Sequence, residues 1–353
     1  MPPLAALDLD TGIAQQSVSR VAPAFDPGQF FARRKVLVTG GLGFIGSNLA
    51  RRLVELGAEV SVVDALMPNS GANRANLADI AGRLHTHIAN LGDPEAIAAL
   101  VRDQEAIFNM AGNVSHIDSM NEPLVDLEAN VRAQIVFLEA CRHQAPSARI
   151  VYASTRQIYG RPAYLPVDER HPLNPVDVNG INKMAGEAYH MLYERVYGLG
   201  AVSLRLTNVF GPRMRVKDAR QTFLGIWLRR VVEDGVFEVW GGEQKRDLTY
   251  VDDAVQALLA AARPTLLPGQ VFNVGGSSPV SLHDLAALLV RVAGRGRFEV
   301  KPFPADRARI DIGDFCAVDA RFRAATAWQP VVALADGLSR SVDYYRSCLH
   351  AYI

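Results

Sequence analysis

From residue 35 onward, short apolar, β-branched runs alternate with longer amphipathic stretches. Lys35–Thr39, Glu59–Val63, Leu84–Ile88, Ala106–Gly112, Arg149–Ala153 and Val202–Leu206 read as strands. Between them, Ser47–Leu56, a short helix after the polar loop Met67–Arg74, Glu95–Arg102, Pro123–His143 and the stretch holding Asn179–Glu187 read as helices. Asp93 is a ready N-cap, and Pro94 fits the first turn that follows it. Strands alternating with helices at this interval predict an α/β fold built on a doubly wound parallel sheet of Rossmann type, whose ligands bind at the carboxyl ends of the strands. A further helix is expected from about Gln221. Beyond Phe272–Gly276 the pattern predicts shorter elements and a smaller C-terminal α/β lobe. The expected division is an extension over 1–30, a dinucleotide-binding domain mainly over 31–205 and a substrate lobe mainly over 206–353, with segments interleaved.

The turn after the first strand carries the first chemistry. Gly40, Gly43 and Gly46 stand at spacing three, with Phe44 and Ile45 between the last two. Strand, glycine turn and helix N-terminus together make an anion cradle, because backbone N–H groups and the helix dipole face a pyrophosphate that can approach where Cβ atoms are absent. The second strand then delivers Asp64, eighteen residues after Gly46. A carboxylate there accepts from the ribose hydroxyls and repels a 2′-phosphate, which predicts NAD rather than NADP.

Composition adds mostly exclusions. Lys+Arg and Asp+Glu both number 37 among 353 residues, so nothing global points to nucleic acid or an acidic membrane surface. No apolar run approaches the roughly 20 residues that span a bilayer. Residues Met1–Gln29 carry Asp8, Asp10 and Asp26 and lack a basic n-region, so they read as a poorly ordered extension or an arm packing on a neighbour, not a secretory signal. Cys141, Cys316 and Cys348 are widely spaced and odd in number, which gives neither a disulfide framework nor a metal site and fits the cytoplasm.

Further motifs follow in order: Ser154-Thr155-Arg-Gln-Ile-Tyr159-Gly160, Asn179-x-x-x-Lys183, Thr207-Asn208 and Lys245-Arg246-Asp247. With the glycine turn, they make residues 35–345 resemble the extended short-chain dehydrogenase/reductases, the NAD-dependent epimerases and dehydratases of nucleotide sugars. The resemblance implies a C-terminal lobe for a nucleotide-diphosphate sugar, and a homodimer formed through Pro123–His143 and about Asn179–Tyr197. It implies cofactor contacts at Gly40, Gly43, Phe44, Ile45, Gly46, Asp64, Asn130 and Lys183. Asn90, beside Leu91, stands where the family has an acid near the adenine, and its oxygen can still accept from the adenine amino group. Thr155 matches the residue that orients the reacting sugar hydroxyl, and Asn208, Arg246 and Arg309 match contacts to the sugar diphosphate. Arg246 can alternatively pair with Asp247 or Asp252. Segment 220–227 and the Ser-Thr-Arg-Gln-Ile-Tyr-Gly turn are similar to the branch that holds CDP-tyvelose 2-epimerase.

The departure lies at Asn179, where the family has the tyrosine that moves the hydroxyl proton. An amide does not titrate in a useful range. Three replacements are available: His116 after the fourth strand, Lys183 if desolvated, and the loop Tyr164; Tyr159 reads as structural. Arg156 and Gln157 stand where 4,6-dehydratases carry an acid and a base, and neither shuttles protons well at neutral pH. The expected activity is nucleotide-sugar epimerisation through transient oxidation, with Thr155, Lys183, Asn179 and His116 at the catalytic centre and no metal. The alternatives are a dehydratase or decarboxylase, a proton-transfer epimerase of a keto sugar, and a catalytically silent binding protein.

Overall fold

Seven parallel strands form the central sheet of the computed structural model, which describes residues 25–219, 222–276, 278–304 and 311–353. The first six are β1 (Lys35–Thr39), β2 (Glu59–Asp64), β3 (His85–Ile88), β4 (Ala106–Asn109), β5 (Arg149–Thr155) and β6 (Ala201–Leu206). Across the sheet the order is Val271–Val274, β6, β5, β4, β1, β2, β3, and every neighbouring pair is parallel. The winding reverses between β1 and β4, which opens a crevice at their carboxyl ends. Side chains of β1 alternate between two cores: Val36 and Val38 pack with Leu49 and Leu53, and Leu37 packs with Ile107, Phe137 and Ile150. Both faces are therefore covered by helices, as parallel sheets require.

Caps fix the helices that frame the crevice. Asp93 accepts from the backbone N–H groups of Glu95 (3.1 Å) and Ala96 (3.2 Å) at the start of Pro94–Val101. Asp177 accepts from Gly180 N at 2.6 Å and starts the helix Val178–Tyr197. β5 runs on to Thr155, two residues past its expected end, because Ser154 and Thr155 pair with Arg205 and Leu206 of β6. The segment expected as one helix over Pro123–His143 is helical over Pro123–Leu127 and Ala133–Gln144, with a wider π-type turn over Glu128–Arg132 between them. The link before β3 is a run of 3₁₀ turns over Arg74–Arg83 instead of an α-helix. Past Gly276 the elements are not all short. Leu282–Ala293 and Leu334–Cys348 are full helices, the former burying Leu282, Leu285, Ala286 and Leu289 at helical spacing.

Residues 1–24, most of the expected N-terminal extension, lie outside the described residues. Its last part is ordered on the body: Asp26 caps the short helix Pro27–Phe31, and the buried Phe31 ring lies 6.0 Å from that of Phe108. Among the described residues no helix is long and apolar enough to cross a membrane.

Candidate active site

A cavity of about 680 Å³ opens at the carboxyl ends of the strands, reaching from the glycine turn to Asn208. At one end, Gly40 has φ +64°, and a Cβ there would stand 2.9 Å from Met110 O, so only glycine fits. A Cβ on Gly46 would collide with Gly40 O. Phe44 and Ile45 begin the helix Phe44–Glu55 and line the cavity with Gly40, Gly43 and Gly46. Asp64 closes the adenosine side: its carboxylate accepts from Leu42 N (3.1 Å) and Leu66 N (2.9 Å). Burial raises its pKa in spite of those donors. Asn90 and Leu91 also line the cavity, and Asn90 Oδ1 already accepts from Gly92 N at 2.8 Å. The cradle thus fits the pyrophosphate and ribose of NAD.

Lys183 and Asn130 meet deeper in. Both the Lys183 ammonium and Asn130 Oδ1 approach the face of Gly112 where a side chain would stand. Among the described residues Asn130 Oδ1 is buried without a partner, and Lys183 Nζ makes one hydrogen bond, a long 3.4 Å donation to Ala153 O. Unused donors and acceptors here match what a nicotinamide ribose needs. Burial pushes the Lys183 pKa down to about 8, an effect that the Asp126 carboxylate partly offsets.

Asn179 does not face this cavity. It is fully buried, and its amide donates to Asn113 O (2.9 Å) and Asp126 Oδ2 (2.8 Å). Asn182 (2.8 Å) and Asn130 (3.0 Å) donate to the other oxygen of Asp126, so three amides hold one buried carboxylate. The asparagine therefore stands in place of the family's phenol as a cross-brace between two helices, and itself supplies no titratable group.

The wall beside it, at the start of the same helix, carries one. His116 opens the short helix His116–Asn121, which Ser115 caps, and its ring lines the cavity. Its Nδ1 meets the carboxylate of Asp177, whose side chain is 2 % exposed. Burial raises the Asp177 pKa, but the hydrogen bond and charge of His116, with help from Gly180 N and Arg156, bring it below the usual carboxylate value. Nδ1–H donated to Asp177 leaves the Nε2 lone pair for another partner. The Gln157 amide nitrogen lies against the imidazole, 2.8 Å from Nε2 and 2.9 Å from Nδ1, and Gln157 Oε1 accepts from Thr155 Oγ1 at 3.1 Å. Thr155, Gln157, His116 and Asp177 thus form one hydrogen-bonded row along the wall. Sequence reading named the first and third. Asp177 carries a local N-cap signal, but its partner lies 61 residues away.

At the far end Asn208 lines the cavity, accepting from Arg156 Nη2 at 2.9 Å and donating to Asp247 O at 3.1 Å. Arg246 is buried one layer behind; it donates to Gly313 O (2.5 Å) and pairs with Asp311 (3.1 Å), not with Asp247 or Asp252. Arg309 lies outside the described residues. Tyr164 is exposed and donates to Asp168, while Tyr159 is buried between Asn273 and Arg205. Neither joins the site. Among the described residues no group of three or more His, Cys, Asp or Glu side chains is placed to hold a metal.

A dinucleotide cradle, a buried lysine and a strand-end threonine on a doubly wound sheet define a nucleotide-cofactor enzyme, and sequence comparison specifies which. Residues 36–275 match the profile of the NAD dependent epimerase/dehydratase family, and the chain belongs to that family. UDP-glucose 4-epimerase of Mycolicibacterium smegmatis is 30% identical over 319 residues, covering 89% of this chain and 99% of that one. CDP-paratose 2-epimerase of Salmonella typhi is 28% identical over 342 residues, with 89% and 99% covered. The crystal structure of UDP-glucose 4-epimerase from Thermotoga maritima with UDP-glucose superposes with TM-score 0.82 at 29% identity, over 89% of this chain and 99% of that chain. NAD is the family's cofactor, and the protein is an enzyme of that family.

Proposed function

We propose that the protein is a nucleotide-sugar epimerase that oxidises a ring carbon transiently, with His116 moving the hydroxyl proton in place of the absent phenol. The observation that carries this reading is the single cavity in which the cofactor cradle, Thr155, Lys183 and Asn208 face His116 and its buried carboxylate partner. Bound NAD supplies an acceptor for the ring hydride and then its donor. The sugar nucleotide lies against residues of the 206–353 region, with Asn208 at its diphosphate and Arg246 released from Asp311 to join it.

Thr155 Oγ orients the reacting hydroxyl. His116 Nε2 accepts its proton once that hydroxyl displaces the Gln157 amide, while Asp177 holds Nδ1–H and steadies the imidazolium. Lys183 holds the nicotinamide ribose through the donors it leaves unused, and Asn130 Oδ1 accepts beside it. The keto sugar then turns its other face, and His116 returns the proton. Arg156 and Gln157 supply no acid–base pair for dehydration, which favours epimerisation over the dehydratase chemistry of other relatives.

The test is isotopic. Purified protein should carry NAD(H) in near-stoichiometric amount, and a sugar nucleotide deuterated at the reacting carbon should keep its label through epimerisation. Loss of label to solvent would replace oxidation with enolisation of a keto sugar. Protein that neither retains nor binds NAD would sink the reading. The working unit is a homodimer that pairs Pro123–Gln144 and Val178–Tyr197 with the same helices of a second copy.

A further inference from the structure

Arg156 is a cation in the wrong company for a structural residue. It lines the cavity directly after Thr155, and its Nη2 donates to Asn208 Oδ1 at 2.9 Å. Its Nη1 is sealed from water and has no hydrogen-bond partner. Among the described residues no carboxylate lies within ion-pair distance of it, whereas the buried guanidinium one layer behind, Arg246, pairs with Asp311 at 3.1 Å. Burial, with Arg246 as a like-charged neighbour, pushes the Arg156 pKa down to about 9, although the more distant carboxylates of Asp247, Asp311 and Asp177 partly offset it. Phe315 lies 5.3 Å from the guanidinium carbon and supports its plane. A buried cation whose nearest carboxylates stand beyond ion-pair distance is costly to keep, and a ligand oxyanion in direct contact lowers that cost on binding.

We propose that Arg156 is a receptor for a carboxylate on the sugar ring, so that the substrate is a nucleotide-linked uronic acid. The inference rests on the nucleotide-sugar reading above and specifies its substrate class. Three features assign the anion to the sugar. Thr155 and Gln157 flank Arg156 in the chain and both line the cavity, which places Arg156 on the wall where the reacting hydroxyl is held. Its hydrogen-bond partner Asn208 and its chain neighbours Thr155 and Gln157 are neutral, and the charges of Asp247, Asp311 and Asp177 act on it only from beyond contact. A guanidinium also matches a carboxylate edge to edge through two parallel N–H donors, the geometry that uses the donor Asn208 leaves idle.

Equilibrium binding to the NAD-loaded enzyme tests this. UDP, CDP and dTDP are titrated first; if none binds, the nucleotide-sugar reading itself falls. UDP-glucose and UDP-glucuronic acid, which differ only at C6, are then compared in wild type, Arg156→Met and Arg156→Lys. Wild type should bind UDP-glucuronic acid about 10- to 100-fold more tightly than UDP-glucose, the range of a charge-assisted hydrogen bond. Arg156→Met should bring the two to one level while UDP and UDP-glucose stay within about twofold of wild type, and Arg156→Lys should keep part of the preference. Equal weakening of UDP, UDP-glucose and UDP-glucuronic acid in Arg156→Met would give the guanidinium to the diphosphate and overturn the proposal. A wild type that does not prefer the carboxylate would overturn it equally. Thermal unfolding of each variant confirms that a folded protein is being titrated.

Discussion

At the scale of single residues, the informative pair is His116 and Asp177. His116→Gln removes the proton acceptor and should lower kcat about 10²–10⁴-fold, measured on NAD-loaded protein. Asp177→Asn separates two roles of one carboxylate. Asparagine caps a helix about as well as aspartate, so the thermal midpoint should move little. The lost charge opposite Nδ1 should nevertheless reduce kcat at least about tenfold with KM less affected. Equal, large losses of stability and activity in Asp177→Asn would make the residue only a cap. Lys183 shows the opposite trade. Its native pKa is depressed to about 8, so between pH 8 and the ordinary lysine value of 10.5 the unfolded chain binds more protons than the native one. The stability of cofactor-free protein should therefore rise with pH across that window relative to Lys183→Met. That variant should be the more stable at pH 7, by of the order of 3 kcal/mol, and should fail to retain NAD. Paired denaturant titrations at pH 7 and pH 10 read both effects. What sequence revealed at this scale was local: the glycines, Asp64, Thr155 and Lys183 each sit in a short motif. The partners that decide chemistry, Asp177 for His116 and Asp311 for Arg246, come from segments 61 and 65 residues away, and no spacing rule reaches that far.

At the scale of elements, two helices are joined by amides around one carboxylate. Apolar periodicity predicts Pro123–His143 as an unbroken helix, and the structure widens it at Glu128–Arg132. The wider turn contains Asn130, which reaches both Asp126 and Asn113 O and leaves its own oxygen beside Lys183. A hydrophobic pattern records which side of a helix is buried, but not that its buried polar groups require an extra residue per turn. The same limit explains Asn179. In the motif it reads as a missing catalytic group; in the fold it is a brace, with Ser119 accepting from its backbone N–H at 3.2 Å and Asp126 from its amide. Restoring tyrosine by Asn179→Tyr should therefore not rescue activity. The phenol must enter a fully buried site and leaves Asp126 one donor short, so stability should drop by about 1–3 kcal/mol with turnover unchanged or lower. A rise in turnover, measured beside the unfolding midpoint, would identify the position as a vacated catalytic site after all.

For the whole molecule, the parallel, doubly wound character of the sheet follows from the alternation of strands and helices, and the crevice follows from the strand order that the structure shows. The expectation that copies associate rests on the resemblance alone, since an apolar helix face packs as readily on its own sheet. The sheet side of Val178–Tyr197 buries Lys183, Glu187 and His190, while Ile181 (50 % exposed), Leu192 (38 %) and Val196 (57 %) form a second stripe turned outward. On the adjoining helix Leu124 (74 %) and Leu127 (41 %) are exposed one turn apart, next to Met120 (49 %). These residues are exposed at helical spacing on packed neighbours, and we expect a second copy to cover them. Leu124→Glu with Val196→Glu places charge at both ends of the face without touching the cavity wall. Sedimentation equilibrium should give a dimer for the parent protein and a monomer for the double variant, whose like charges meet across a two-fold interface. NAD retention should survive in the monomer, because every cradle residue comes from one chain. A double variant that stays dimeric would move the interface elsewhere, and a parent that sediments as a monomer would remove it.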